Sequence, residues 1–157
     1  MPIVSVIYYS QTGNTELMAK WITEAIAGEG LDVDCKKVED ANPDELLSLD
    51  GVVLGSPTYY GTMAAEMKKF LDDSIKHHGK LEGKVGAAFA TAGSTGQETT
   101  VISLLEALLI HGMIVQGDTA GNHYGVTSVG KPAEQEKQRC QRFGQRFAGL
   151  VKRIAST

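Results

Sequence analysis

The sequence predicts an α/β fold, a doubly wound five-stranded parallel sheet, on three observations. Short apolar runs of β type alternate with longer stretches of helical period, the pattern of a parallel sheet covered by helices. The first run, Ile3 to Tyr9, is apolar at nearly every position, as a strand buried on both faces should be. The turns after the first, third and fourth runs are rich in Gly, Ser and Thr. Sheets of this kind bind ligands beyond the carboxyl ends of their strands, so these turns are the expected site.

Each element can be justified in turn. From Thr15, the residues Leu17, Met18, Trp21, Ile22, Ala25 and Ile26 form one helical stripe, and Gly28 and Gly30 offer left-handed positions that end it. Leu31 to Val38 alternates and is more polar, which fits a strand nearer an edge. Asn42 caps a short helix whose first turn takes Pro43. Gly51 to Gly55 reads as the third strand, and Thr62 to Ile75 as a helix with Met63, Met67, Phe70 and Leu71 in register. Lys84 to Ala90 is the fourth strand, Thr99 to Ile110 an apolar helix, and Met113-Ile114-Val115 the fifth strand. Pro132 to Ala155 closes the chain as a helix with Phe143, Phe147, Leu150, Val151 and Ile154 inward. Five strands and five helices alternate without a linker, so residues 1–157 are expected to form one domain.

Composition narrows the function classes. The 18 glycines exceed the roughly 11 that average usage of about 7% would give, yet only 4 prolines accompany them. The surplus therefore reads as loop chemistry and not as disorder. A formal charge of -4 argues against a nucleic-acid partner. The densest basic stretch, Lys131 to Arg153, is interleaved with Glu134, Glu136 and glutamines and reads as a solvated helix face. No run approaches 18 apolar residues, so no membrane span is expected, and the N-terminus has no signal-peptide pattern. Cys35 and Cys140 lie far apart, which fits a reducing, cytoplasmic setting. His77-His78 reads as a solvated pair at a helix end, and His123 and Tyr124 as part of a glycine-rich loop near the site's rim.

Three loops carry the chemistry. Ser10-Gln11-Thr12-Gly13-Asn14-Thr15 leads from the buried strand into a helix N-terminus, where hydroxyls and free backbone N–H groups suit an anion. It has neither the lysine of a triphosphate loop nor the glycine spacing of a dinucleotide turn, and none of the three loops holds Lys or Arg. That chemistry matches a terminal monophosphate. Pro57-Thr58-Tyr59-Tyr60-Gly61 sets two adjacent tyrosines where a planar ring could stack. Thr91-Ala92-Gly93-Ser94-Thr95-Gly96 has little bulk and many backbone donors, fit to wrap the polar edge of a flat heterocycle. Flavin mononucleotide (FMN) has all three needs.

Ser10-x-Thr12-Gly13-x-Thr15 after an apolar strand resembles the flavodoxin phosphate loop. Gly55 to Met63, Gly96-Gln97-Glu98-Thr99-Thr100 and His111-Gly112-Met113 are similar to the tryptophan-repressor-binding-protein-like family of NAD(P)H:quinone oxidoreductases. A weaker match runs from Tyr124 to Gly130. The resemblance implies a flavodoxin-like sheet of order 2-1-3-4-5 and noncovalent FMN. The phosphate would lie on Ser10 to Thr15, Thr58, Tyr59 and Tyr60 would flank ribityl and ring, and Thr91 to Gly96 would take the pyrimidine side. It also gives His111 and Tyr60 as candidate catalytic residues. The implied activity is NAD(P)H-dependent reduction of quinones or similar acceptors, in a chain that would form a homo-oligomer. The alternative is an electron carrier between redox protein partners. Thr12 in the first loop, the short insertions and Ile110 in place of the family's first histidine favour that alternative, whereas the Gly96 to Thr100 and His111 to Met113 segments and the modest charge of -4 favour the enzyme.

Overall fold

The computed structural model describes residues 1–157. Five parallel strands, β1 (Ile3–Tyr8), β2 (Asp32–Lys37), β3 (Gly51–Pro57), β4 (Val85–Ala92) and β5 (Thr127–Val129), pair in the order β2-β1-β3-β4-β5. Four helices connect and cover them: α1 (Asn14–Gly28), α2 (Ala65–Asp73), α3 (Gln97–Ile110) and α4 (Glu134–Ala155). The expected sheet and order are both present.

Alternation along each strand divides the core in two. Val4, Val6, Tyr8, Val53, Val85 and Phe89 pack with Met18, Ile22 and Ile26 of α1 and Phe147 and Val151 of α4. Ile7, Val52, Leu54, Ala88 and Ala90 face the opposite layer, with Met67 and Phe70 of α2 and Leu104 and Leu108 of α3. Each fully buried Leu, Ile or Phe contributes about 1.5–3 kcal/mol, so the two layers fix the register of β1, β3 and β4. Gly55 belongs to this packing, because a Cβ there would lie 2.0 Å from the Phe89 ring. Its glycine serves the core and not a ligand.

Several boundaries differ from the sequence expectation, each for a local reason. Asn42 does cap its segment, accepting from Asp44 N–H at 2.9 Å while Glu45 reaches back to Asn42 N–H at 3.2 Å. Those six residues, Pro43–Ser48, form a 3-10 helix. The next helix starts at Ala65 and not Thr62, because Tyr59 and Thr62 close a tight turn first. His77 is buried and bonded to Asp44 Oδ1 at 2.8 Å, so only His78 is solvated.

The largest difference is the fifth strand. Met113-Ile114-Val115 makes a single bridge, Ile114 to Val85, and the strand proper is Thr127–Val129. Between them the chain leaves the sheet edge because Asp118 is held by α4. Arg142 donates to both its carboxylate oxygens at 2.9 Å, and Arg146 lies 3.4 Å away. The basic stretch of α4 is thus partly engaged in structure and not simply solvated. His123 and Tyr124 sit in this excursion, ahead of β5 and not after it.

Candidate functional site

The site lies where the strand order reverses around β1, at the carboxyl ends of β1, β3 and β4. In the first loop, Ser10 Oγ accepts from Gly13 N–H at 3.2 Å and Glu16 N–H at 3.3 Å, folding the chain into the start of α1. Gly13 precedes the helix at φ 102° and supplies no side-chain cap. The backbone N–H groups of Gln11, Thr12, Asn14 and Thr15 consequently donate to no protein acceptor. They cluster at the positive end of the helix dipole, the arrangement that binds a phosphate.

The second loop is a two-residue turn. Tyr59 N–H donates to Thr62 O at 2.9 Å and Thr62 N–H returns to Tyr59 O at 3.3 Å. Tyr60 at φ 52° and Gly61 at φ 81° take its two central, left-handed positions, as a type I′ turn requires. A tyrosine in that region is strained, and here its side chain is fully exposed at the tip. The third loop ends at Gly96, φ 89°, where a Cβ would meet Thr58 Cγ2 at 2.9 Å and Gly61 Cα at 3.1 Å. Loops two and three are therefore in contact through backbone that only glycine permits.

Hydrogen bonds link every pair of loops. Tyr59 Oη donates to Gln11 Oε1 at 2.7 Å, joining the second loop to the first. Burial, and then the Glu66 carboxylate, raise the Tyr59 phenol above its ordinary pKa, so the donor stays protonated. Thr15 Oγ1 and Thr91 Oγ1 share a buried bond of 2.9 Å, joining first to third. Thr58 N–H donates to Thr91 O at 2.7 Å, Thr100 Oγ1 to Thr58 Oγ1 at 2.9 Å, and Thr99 Oγ1 to Gly61 O at 2.6 Å. The rim is acidic: Glu16, Glu66 and Glu98 occupy the first turns of α1, α2 and α3.

The structure thus brings together Ser10 to Thr15, Pro57 to Gly61 and Thr91 to Gly96. Thr15 lies inside the scaffold instead of at its surface. His111 is not among them. It follows the last turn of α3, a 14-residue helix that starts at the loops and runs about 21 Å to the other end of the sheet. There its Nε2 meets Ser74 Oγ at 2.8 Å. The Ser74 hydroxyl donates to Leu71 O at 2.6 Å, so His111 Nε2–H is the donor and Nδ1 an unprotonated acceptor without a partner. The helix polarity places this candidate catalytic residue away from the loops. Gln97, Thr99 and Thr100 join the loops as well, and the only sequence signal for them is the Gly96 to Thr100 segment that contains all three. Gln97 Oε1 is buried without a partner at the start of α3.

Comparisons with known proteins give the family of the chain. The flavodoxin domain family matches residues 5–127. A flavodoxin of Aquifex aeolicus (strain VF5) is 38% identical, over 94% of this chain and 86% of its own. A protein of Archaeoglobus fulgidus named NAD(P)H dehydrogenase (quinone) is 32% identical, over 98% of this chain and 100% of its own. Among solved structures, one described as a flavodoxin from the domain Archaea superposes with a TM-score of 0.82 at 32% identity, covering 96% of this chain and 99% of that one. FMN is the cofactor these relationships imply. The chain belongs to the flavodoxin family.

Proposed function

We propose that the protein is an electron carrier that holds FMN noncovalently in the three-loop site and exchanges electrons with cationic redox proteins. The observation that carries this reading is the open, acid-rimmed face around Tyr60. The aromatic tip projects into solvent, and the helices that start at this end of the sheet each carry a glutamate in the first turn. The candidate catalytic histidine is at the other end of the sheet.

The residues present fit the cofactor. Four free N–H groups of Gln11, Thr12, Asn14 and Thr15 would hold the phosphate. Charge-assisted bonds of roughly 1.5–3 kcal/mol each would suffice without a lysine or arginine. Gly93, Ser94 and Thr95 carry further backbone N–H groups without protein acceptors, suited to the carbonyl edge of the ring. The orphaned Gln97 Oε1 is an acceptor that a ring N–H would satisfy. Tyr60 would cover one face of the ring, and Tyr59, tied to Gln11, would hold the loop that carries it. Bound FMN supplies the redox chemistry itself, and the chain positions and shields it.

The test is electron delivery from the reduced, FMN-loaded protein to cytochrome c, a cationic one-electron acceptor. The expected result is a fast second-order reaction whose rate falls steeply with ionic strength, as steering by the acidic rim requires. A slow rate indifferent to salt would overturn the proposal. A second reading, NAD(P)H-dependent quinone reduction, is favoured by the Archaeoglobus relative, whose match extends over its complete length. It predicts saturable turnover with NADH or NADPH and a benzoquinone.

A further inference from the structure

The excursion between Ile114 and Thr127 encloses a cavity of about 90 Å³ between the edge of β4 and α4. One wall is a stripe of α4 in which apolar Phe143, Phe147 and Leu150 share a face with Arg139, Arg142 and Arg146, at spacings of three and four residues. Val85, Ala87 and Val115 form the facing apolar side. None of these groups belongs to the three-loop site.

Two features distinguish this cavity from a packing void. The first is unpaired backbone. Gly86 N–H donates to Ile114 O at 3.0 Å and Ala90 N–H to Val126 O at 3.2 Å, so even-numbered β4 residues face the fifth strand. Between those contacts the fifth strand is missing, and the Ala88 N–H and Gly86 carbonyl on that side have no backbone partner. Buried groups of this kind are nearly always satisfied. Gly125 covers only the Ala88 carbonyl, where a Cβ would come within 2.0 Å of the oxygen. The second feature is charge. Three arginines line the cavity against a single carboxylate, Asp118. Arg142 and Arg146 are committed to it, whereas Arg139 has only Glu136, at 3.9 Å.

We propose that this cavity is a binding site for a small aromatic carboxylate, with its ring against Phe143, Phe147 and Leu150 and its carboxylate drawn to Arg139. At about 90 Å³ the cavity is smaller than the roughly 150 Å³ apolar cavity that accepts benzene, so a single ring enters only in part and its polar head stays at the rim. Its lining includes no residue of the three flavin loops, so the proposal stands or falls independently of the carrier reading.

The experiment titrates benzoate, and separately the neutral benzyl alcohol, into the isotope-labelled, FMN-loaded protein and follows amide shifts. Saturable shifts at Ala88 and along α4 are expected, with benzoate at least fivefold tighter than benzyl alcohol. Arg139→Gln should remove that preference. Ala87→Leu and Leu150→Trp each fill the cavity and should weaken benzoate at least tenfold while leaving FMN affinity unchanged, which also confirms folding. No saturable shift at Ala88, equal affinity for the two probes, or undiminished binding in both filled variants would overturn the proposal.

Discussion

Tyr60 is where local strain and exposure meet. Its φ of 52° is a conformation that asparagine tolerates better than tyrosine, and its side chain packs on nothing in the chain. Tyr60→Asn should therefore raise the melting temperature of the apo-protein while weakening FMN severalfold, a divergence measured by thermal unfolding and flavin-fluorescence titration. A purely structural tyrosine would lower both. At Thr12 the hydroxyl is in the exposed loop beside the free N–H groups. Thr12→Val should weaken FMN about tenfold, the loss of one bond to a charged group worth about 1.5 kcal/mol, and leave riboflavin, which has no phosphate, unchanged. Thr15 differs: its hydroxyl is spent on Thr91, so the sequence showed that a threonine was there but not which way its bond ran. Such pairings join residues 76 positions apart and leave no local signature.

At the scale of elements, α3 has two chemically distinct ends. Its N-terminus closes the loops through Thr99 and Thr100, and its C-terminus buries His111 among Ser74, His77 and His78. Burial, then the nearby His78 and His77 charges, lower the His111 pKa below its ordinary value. The unfolded chain then takes up a proton near pH 6.5 that the folded protein resists. Stability is full above that pH and falls as the pH drops through it toward the folded pKa. Melting temperatures from pH 7.5 to 5 should fall less steeply in His111→Gln than in wild type, with FMN affinity unchanged. A loss of FMN affinity would return His111 to the site. The Asp118 carboxyl is displaced the other way. Its bonds to Arg142, then the Ala120 N–H, hold it well below the usual carboxylate range, so its contribution is present above about pH 4 and is lost as acid titrates it. Asp118→Asn should lower stability at neutral pH by about 1–2 kcal/mol and flatten the acid limb of the melting curve. The split strand was not legible because Thr127–Val129 is too short for its alternation to register, and Asp118 and Arg142 are 24 positions apart.

The whole molecule was legible where patterning is repeated. Two core layers drawn from alternate residues of β1, β3 and β4 cover both faces of the sheet of order β2-β1-β3-β4-β5, whereas only five of the 18 glycines, Gly13, Gly55, Gly61, Gly93 and Gly96, lie near the three strand ends. Gly96 fits the expectation of loop chemistry and Gly55 does not, because a glycine count does not distinguish close approach to a ligand from close approach to Phe89. Charge is distributed at the same scale. First-turn glutamates both complement the dipoles of α1, α2 and α3 and give the cofactor end a negative rim. That rim suits a cationic protein better than an anionic nicotinamide dinucleotide. The most direct measurement of the central claim is anaerobic rapid mixing of the FMN-loaded protein with NADH and with NADPH, following flavin absorbance. The carrier account predicts no bleaching faster than that of free FMN with either nucleotide. Fast bleaching that saturates with nucleotide concentration would contradict it.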